Sequence, residues 1–280
     1  MTLTPRQVAD LLEHHDLEPN KALGQNFLVD PNTVRRIVSL ARVTEGQDIV
    51  EVGPGLGSLT LALCDAGATV LAVEADRHLI EPLSEIVGGL PVEILHGDAL
   101  ELGWAARLDS PVWLVANLPY NVATPLVAEV LDRVPLVEKL VVMVQAEVGE
   151  RLIAGVGDSA YGAVSVKVAS WASGRRLCKV PPTVFIPRPK VDSVVVELVR
   201  HREPVVPEDI DRESLMSLVR AGFGQRRKML RRSLKGLVTA EQFTRAEIRP
   251  EARAEELDLQ DWVRLEIARR GLLSTPQRAR

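Results

Sequence analysis

The segment Asn117-Leu-Pro-Tyr120 combines residue types that could bind and orient an amine. The Asn117 side-chain oxygen and the Leu118 carbonyl could accept the hydrogens of the amine and so aim its lone pair at an electrophile. Pro119 would stiffen the backbone, and Tyr120 would offer a flat stacking face. This set suits an amine on an aromatic ring, whose delocalised lone pair is a poor nucleophile. An asparagine that only caps a turn is the structural alternative.

A glycine-rich segment, Val50-Glu-Val-Gly-Pro-Gly-Leu-Gly57, leads from a predicted strand into a predicted helix. Gly53 and Gly55 would let the backbone approach a ligand where a Cβ atom would clash. The dinucleotide pattern Gly-x-Gly-x-x-Gly, counted from Gly53, requires a glycine where Ser58 stands. The spacing therefore indicates a nucleoside ligand without a pyrophosphate, with a ligand-free tight turn as the alternative.

Two acidic residues end or follow the next predicted strands. Glu74 comes about 20 residues after the first glycine, where an acid in this architecture binds ribose hydroxyls. Asp98 could accept a hydrogen bond from an adenine amine, although an aspartate after a strand is usually a helix cap. S-adenosylmethionine, a nucleoside with a cationic sulfonium and no phosphate, fits this set and would act without a metal. A methyl transfer from it is one displacement and requires no lysine, histidine or cysteine nucleophile.

Phe185 lies in a proline-rich loop at 181–189 and is a candidate for a second stacking face on the target base. A core residue that anchors the loop is the alternative interpretation. A target adenine must leave its stack to be modified, and an aromatic face offsets part of that cost, ~1–3 kcal/mol per base.

The order of predicted elements between residues 48 and 145 is that of an α/β fold, a Rossmann-like sheet with helices on both faces. Helices are expected to begin near Ser58, Asp76 and Thr124. The predicted strands are 48–52, 69–74, 92–96, 112–116 and 139–145, with two further strands at 171–180 and 193–200. A boundary near Arg202 gives two domains, a methyltransferase domain at 1–202 and an all-helical RNA-binding domain at 203–280.

Cations are concentrated at residues 220–235, here called the basic segment, which contains no acid although the whole chain carries a net charge of −4. On a helix, Arg227 would share a face with Arg231, and Lys228 with Arg232, so a polyanion would relieve their repulsion. A solvated helix is the alternative. The predicted RNA-binding residues are Arg226, Arg227, Lys228, Arg231 and Arg232, and the footprint would extend to Arg175, Arg176, Lys179, Arg188 and Lys190.

The composition is that of a globular protein, with 280 residues of which 46% are hydrophobic and 26% charged. Cys64 and Cys178 have no neighbours at metal-ligand spacing, so no zinc site or disulfide framework is indicated. Residues 1–20 lack the basic start and apolar run of a signal peptide. We therefore expect a cytoplasmic protein with no metal and no membrane partner, and a monomer.

Five segments together resemble the small-subunit (16S) rRNA adenine-N6,N6-dimethyltransferase family, over about residues 23–234. The segments are Gly24-Gln-Asn-Phe-Leu-Val-Asp30, Glu51-Val-Gly-Pro-Gly-Leu-Gly57, Asn117-Leu-Pro-Tyr-Asn121, Phe185-Ile-Pro-Arg-Pro-Lys-Val-Asp-Ser193 and Phe223-Gly-Gln-Arg-Arg-Lys228. The resemblance implies that Asn26 and Leu28 close over the cofactor, together with Gly53, Glu74, Asp98 and Asn117. It also implies two adjacent adenines near the 3′ end of 16S rRNA in the small ribosomal subunit as substrate, each methylated twice.

Three other functions remain to be weighed. A large-subunit (23S) rRNA adenine methyltransferase of the antibiotic-resistance type shares most of these motifs, but the Asn-Leu-Pro-Tyr-Asn and Lys-Val-Asp-Ser forms favour the small-subunit enzyme. A non-catalytic RNA-binding relative would be expected to lose the pocket, whereas Asn117, Tyr120 and Phe185 are present. A nicotinamide oxidoreductase conflicts with the glycine spacing and lacks a proton donor near the pocket.

Overall fold

The computed structural model describes residues 2–20 and 23–271, apart from the side chain of Ala105. Contacts divide the chain into unit 1, Met1–Glu150 with Gly174–Arg200, and unit 2, Arg151–Ser173 with His201–Arg280. The predicted boundary near Arg202 lies close to the second change of unit. Residues 151–173, which the prediction assigned to the first domain, belong instead to unit 2, and residues 272–280 of the predicted helical domain lie outside the described part.

The residues 151–173 group with unit 2 because their side chains are part of its core. Tyr161 and Val166 are buried in the same apolar cluster as Trp262 and Phe243. The Tyr161 hydroxyl also donates a hydrogen bond to the carbonyl of Leu257 at 2.8 Å. One boundary in the sequence cannot describe this arrangement, because the chain enters unit 2 at residue 151, returns to unit 1 at residue 174 and enters unit 2 again at residue 201.

Unit 1 is built on a seven-stranded sheet of order β4-β3-β2-β5-β6-β9-β7, with a separate two-stranded sheet, β1-β8. Strands β2 to β6 are parallel where they pair, and β9 runs antiparallel to β6. The strands are β1 (Phe27–Leu28), β2 (Asp48–Val52), β3 (Thr69–Glu74), β4 (Val92–His96), β5 (Val112–Asn117), β6 (Val137–Gln145), β7 (Ala172–Val180), β8 (Phe185–Ile186) and β9 (Ser193–Arg200). The helices up to β7 are α1 (Pro5–His14), α2 (Pro31–Ala41), α3 (Ser58–Asp65), α4 (Ile80–Val87), α5 (Ala123–Arg133), α6 (Ala146–Ile153) and α7 (Ala163–Ala169).

The central strands are buried on both faces, which is why they read as continuous apolar runs. Residues 140–144 of β6 and 114–116 of β5 are all at most 1% exposed. The pairing of β2 with β3 aligns Val52 with Val73, so the two strands end at the same edge of the sheet. The predicted fold class is confirmed, and the residues that follow these strands are brought together at that edge.

The N-terminal helix α1, which was not predicted, packs on unit 1. Thr4 and Gln7 form a capping box at its start, and Pro5 occupies the first turn, so the signal was present in the sequence. Leu3 and Val8 are buried in an apolar cluster with Phe27 and Leu79. The helix therefore supports a strand and a turn close to the candidate site.

Unit 2 is helical in the part that follows β9. Its further helices are α8 (Arg212–Phe223), α9 (Leu230–Ser233), α10 (Ala240–Arg245) and α11 (Leu259–Arg270). Trp262 is fully buried, and a Cβ atom at Gly222 would lie 2.5 Å from its ring, so α8 and α11 approach closely. Among the described residues, no helix is long and apolar enough to cross a membrane.

The basic segment is not one continuous helix, and the prediction that Arg227 and Lys228 share helical faces with Arg231 and Arg232 is wrong. Helix α8 ends at Phe223, residues 224–227 form turns, Lys228 forms a bend, and α9 has only one turn. The helix is interrupted there because Met229 forms a β-bridge with Arg253 instead of continuing a helix.

Candidate active site

A cleft in unit 1 lies at the carboxyl ends of β2, β3 and β5, where open α/β sheets bind ligands. The structure brings most of the predicted site residues to it. Those that line the cleft are Asn26, Leu28, Gly53, Gly55, Glu74, Asp98, Asn117, Leu118 and Pro119. Tyr120 and Phe185 are not among the lining residues.

The glycine-rich turn forms one wall of the cleft. Gly53 and Gly55 have φ values of +70° and +59°, which favour glycine. A Cβ atom at Gly53 would lie 3.3 Å from Cδ of Pro119, and one at Gly55 would lie 3.0 Å from the ring of Phe27. These two glycines are therefore required both by the backbone conformation and by close packing against the segments that carry Asn117 and Asn26.

Glu74 is a buried carboxylate at the end of β3, held by backbone donors. Its Oε2 accepts a hydrogen bond from the Gly55 N–H at 3.1 Å, and its Oε1 accepts one from the Asp76 N–H at 2.9 Å. Burial raises the pKa of Glu74 despite these bonds. A polar or cationic ligand would restore the solvation that burial removes.

Glu51 is a second buried acid that lines the cleft, and its sequence position predicted no role for it. The Thr60 hydroxyl donates to its Oε2 at 2.7 Å. Burial raises the pKa of Glu51 to about 8, with a further contribution from the charge of Glu74. At neutral pH the Glu51 carboxyl is therefore largely protonated.

Asp98 is exposed at the rim of the cleft. Its Oδ1 accepts a hydrogen bond from the Leu100 N–H at 2.8 Å, as in an ordinary turn. The residue thus has the local capping role and also lines the cleft. One carboxylate has enough acceptor positions for both functions.

The Asn117 side chain is oriented by the segment that carries Asn26. Its Nδ2 donates a hydrogen bond to the Asn26 carbonyl at 3.2 Å. Because a carbonyl can only accept, the amide nitrogen must face Asn26, and the side-chain oxygen is turned to the other side. Asn117 therefore presents an acceptor, which is the property that the sequence analysis required of it.

The residues that follow Asn117 are held in a fixed turn. The Leu118 N–H donates to the Met143 carbonyl at 3.1 Å, and the Pro119 carbonyl accepts from the Val122 and Ala123 N–H groups. The half-buried Tyr120 forms a hydrogen bond between its hydroxyl and Ser193 Oγ at 2.9 Å. Burial raises the pKa of Tyr120, so its hydroxyl stays neutral.

Phe185 is not placed in the cleft. It is 3% exposed and belongs to an apolar cluster with Leu28 and Val34. Its backbone pairs with Leu28 between β1 and β8. In this structure Phe185 acts as the core anchor of its loop, and its role as a stacking face stays a prediction.

In unit 2, the basic segment contains both paired and unpaired cations. Arg226 contacts Glu255 at 2.7 Å and the Ser159 carbonyl at 2.9 Å, and Arg231 lies 3.4 Å from Glu251. Arg227, Lys228 and Arg232 are exposed and form no ion pair with another described residue. In unit 1, Arg175 contacts the buried Glu197 at 2.6 Å.

Three features of the site were not predicted from the sequence: the buried acid Glu51, the Ser193 partner of Tyr120, and a hydrogen bond from Gln25 to Asp76. Gln25 and Ser193 both lie in quoted motifs, but a motif does not tell which of its side chains face one another. No group of three or more His, Cys, Asp or Glu side chains that could hold a metal occurs in the described ranges.

Comparison with known proteins agrees with this geometry. The model of the family described as "Ribosomal RNA adenine dimethylase" matches residues 17–269. The chain belongs to the ribosomal RNA adenine dimethylase family. The resemblance inferred from the motifs is thereby confirmed.

Two relatives are 45% identical to this chain, and both are named Ribosomal RNA small subunit methyltransferase A. The protein of Leifsonia xyli subsp. xyli aligns over 94% of this chain and 97% of its own length. The protein of Kineococcus radiotolerans aligns over 96% and 92%. Each alignment thus covers nearly the whole length of this chain and of the relative.

Solved structures show the same fold. A dimethyladenosine transferase from Plasmodium falciparum has a TM-score of 0.72 at 25% identity and covers 88% of this chain and 98% of its own. The 23S rRNA methyltransferase ErmE has a TM-score of 0.68 at 26% identity, with coverages of 87% and 99%. These matches confirm that this member of the rRNA adenine dimethylase family has the class I methyltransferase fold.

Proposed function

We propose that the protein transfers methyl groups from S-adenosylmethionine to the N6 amines of two adjacent adenines near the 3′ end of 16S rRNA, giving N6,N6-dimethyladenosine. The observation that carries the proposal is the orientation of Asn117, whose oxygen is presented as an acceptor because its amide nitrogen binds Asn26. The small-subunit substrate is supported by the name that both 45% identical relatives carry. We propose that the reaction takes place in the cytoplasm.

The chemistry of the cleft fits S-adenosylmethionine. Glu74 offers a carboxylate for ribose hydroxyls, and Asp98 offers one for the adenine amine. Gly53 and Gly55 let the turn that lines the cleft pack closely against Pro119 and Phe27. No described residue that lines the cleft is a lysine or an arginine, as expected for a ligand without phosphates. When bound, S-adenosylmethionine supplies an electrophilic methyl carbon on a sulfonium.

The residues of the Asn117–Tyr120 turn would prepare the adenine amine. The Asn117 oxygen accepts one N6 hydrogen and the Leu118 carbonyl accepts the other, which directs the nitrogen lone pair toward the methyl carbon. Tyr120 stacks on the base, with its ring orientation set by the bond to Ser193. The amine releases one proton to solvent in each transfer. After the first, one N–H remains, and a single acceptor is sufficient to orient it.

The RNA backbone would be bound by the basic segment of unit 2 through Arg227, Lys228 and Arg232, with Arg226 and Arg231 less available because they are already paired. Exposed cations without internal partners are those that gain most from phosphate. In unit 1, the exposed Arg176, Lys179, Arg188 and Lys190 would extend the footprint.

The test is transfer of radiolabelled methyl from S-adenosylmethionine to small ribosomal subunits that lack these methyl groups, with large subunits in parallel and nucleoside analysis of the product. N6,N6-Dimethyladenosine in the small subunit is the expected result. Label in the large subunit would instead select the 23S activity of the kind named for ErmE. An absence of label in both, with intact cofactor binding, would contradict the proposed substrate.

A further inference from the structure

Residues 23–28, here called the strap, line one side of the cleft. The strap is held at its C-terminal end by pairing of Phe27 and Leu28 with β8. In its middle, the Asn26 carbonyl accepts from Asn117. The N-terminal half of the strap is held by hydrogen bonds of Gln25.

Gln25 forms a bridge between the chain before the strap and the loop after β3. Its Oε1 accepts a hydrogen bond from the Asn20 N–H at 2.7 Å, and its Nε2 donates one to Asp76 Oδ2 at 2.7 Å. A backbone N–H can only donate and a carboxylate can only accept, so the amide orientation is unambiguous. A glutamate at this position could bind Asn20 but would oppose the carboxylate of Asp76.

Asp76 connects Gln25 to Glu74, the buried acid that lines the cleft. Its backbone N–H donates to Glu74 Oε1 at 2.9 Å, while its Oδ1 accepts from the His78 N–H at 3.0 Å. The other oxygen of Glu74 accepts from Gly55. The strap, Glu74 and the glycine-rich turn therefore belong to one hydrogen-bond network in unit 1.

We propose that Gln25 is a positioning residue that latches the strap to the loop after β3, so that the strap and Glu74 enclose the methyl donor together. The inference rests on the proposal that the cleft binds S-adenosylmethionine. The latch lies away from Asn117 and Leu118, which handle the target amine. Its loss therefore raises the KM for the donor, by about 10-fold, and leaves kcat within about 2-fold.

The experiment is a double-mutant cycle on the full chain, with binding of the unreactive product S-adenosylhomocysteine measured by calorimetry. Gln25→Glu places two carboxylates in contact. Asp76→Asn leaves one side-chain oxygen for two donors, Gln25 Nε2 and the His78 N–H. Each single variant should therefore bind S-adenosylhomocysteine about 10-fold more weakly. In the double variant, the introduced carboxylate accepts from Asn20 and from the introduced amide, whose oxygen still accepts from His78. Affinity should return to within about 3-fold of wild type.

Two further variants separate the latch from charge and folding effects. Gln25→Asn is uncharged but too short to span both partners, and should also weaken binding. Gln47→Glu is the matched control, because the described hydrogen bonds give the Gln47 side chain only the Asp48 carbonyl at 3.2 Å, and Gln47 does not line the cleft. This control should bind S-adenosylhomocysteine like wild type. Thermal melting of each variant tests whether it is folded.

Additive losses in the double variant, or unchanged donor affinity in Gln25→Glu, would overturn the latch while the proposed function stands. A fall in kcat at unchanged KM would also overturn it. A wild-type chain that binds no S-adenosylhomocysteine is a different failure, because it removes the assignment of the cleft and the latch with it.

Discussion

The cleft of unit 1 and the basic segment of unit 2 hold their functional groups in opposite ways. In the cleft, Glu74 and Asn117 already have fixed hydrogen-bond partners, so their orientation is set before a ligand arrives. In the basic segment, Arg227 and Lys228 are exposed and lack an ion-pair partner among the described residues. A preorganised group acts on the transition state, whereas a free surface charge acts on encounter and affinity. Asn117 should therefore act mainly on kcat, and the basic segment mainly on the KM for RNA.

The largest effect should come from Asn117→Ala. Removing the acceptor should reduce methyl transfer by about 10²-fold or more, as loss of a transition-state interaction does, while donor affinity changes only a few-fold. Single-turnover transfer and S-adenosylhomocysteine calorimetry measure the two quantities. Asn32→Ala is a suitable control, since Asn32 lies in α2 and does not line the cleft. Unchanged turnover would remove Asn117 from the mechanism.

Reversing the free charges of the basic segment should act on RNA instead. Arg227→Glu with Lys228→Glu should raise the KM for small subunits by about 10-fold and flatten its dependence on salt, with kcat nearly unchanged. Arg245→Glu with Arg249→Glu makes the same change of charge in unit 2 at cations that are paired with Glu241 and Glu256. An equal effect of the control pair would mean that total charge, and not this segment, binds the RNA.

Ser193→Ala tests whether the Tyr120 ring is positioned by its hydroxyl. Loss of the 2.9 Å bond should reduce kcat by about 3- to 10-fold, the size expected for one hydrogen bond, and leave donor affinity unchanged. Tyr120→Phe should show a similar loss because it removes the same bond and keeps the ring. If Tyr120→Phe is as active as wild type, the bond does not contribute to catalysis.

Glu51→Gln should change the pH dependence of stability without removing the contact to Thr60. The pKa of Glu51 is raised to about 8 in the folded chain by burial, so this group favours folding most at low pH. That contribution is lost as the pH rises from the unfolded value of about 4.5 through 8. The variant should therefore gain stability relative to wild type between pH 5 and pH 9, measured by urea unfolding. A pH-independent difference would contradict the raised pKa.

Much of the fold could be predicted because its strands are short apolar runs that alternate with helices. The predicted strands 48–52, 69–74 and 92–96 coincide with β2, β3 and β4. The errors occur where the local pattern was overridden by distant contacts. Residues 151–173 join the core of unit 2, and the helical spacing of the basic segment is broken by the Met229–Arg253 bridge.

Gly53, Glu74, Asp98 and Asn117 were found because each ends or follows a strand, and parallel strands end at one edge. Asn26 and Leu28 were found only through the family resemblance. The pairs that orient them were not found. Asn26 and Asn117 are 91 positions apart, Gln25 and Asp76 are 51 apart, and Tyr120 and Ser193 are 73 apart. Their sequence spacing carries no information on contact, because it depends on the strand order and on the packing of the strap.

The sequence by itself determined the types of residue at the cleft, the glycine spacing that excludes a dinucleotide and the family to which the chain belongs. Only the tertiary structure decided that Asn117 presents its oxygen, that Phe185 is buried in the core and that Gln25 ties the strap to Asp76. The reason is physical. Residue type sets which bonds a side chain can form, whereas burial and long-range packing select which of these bonds are formed.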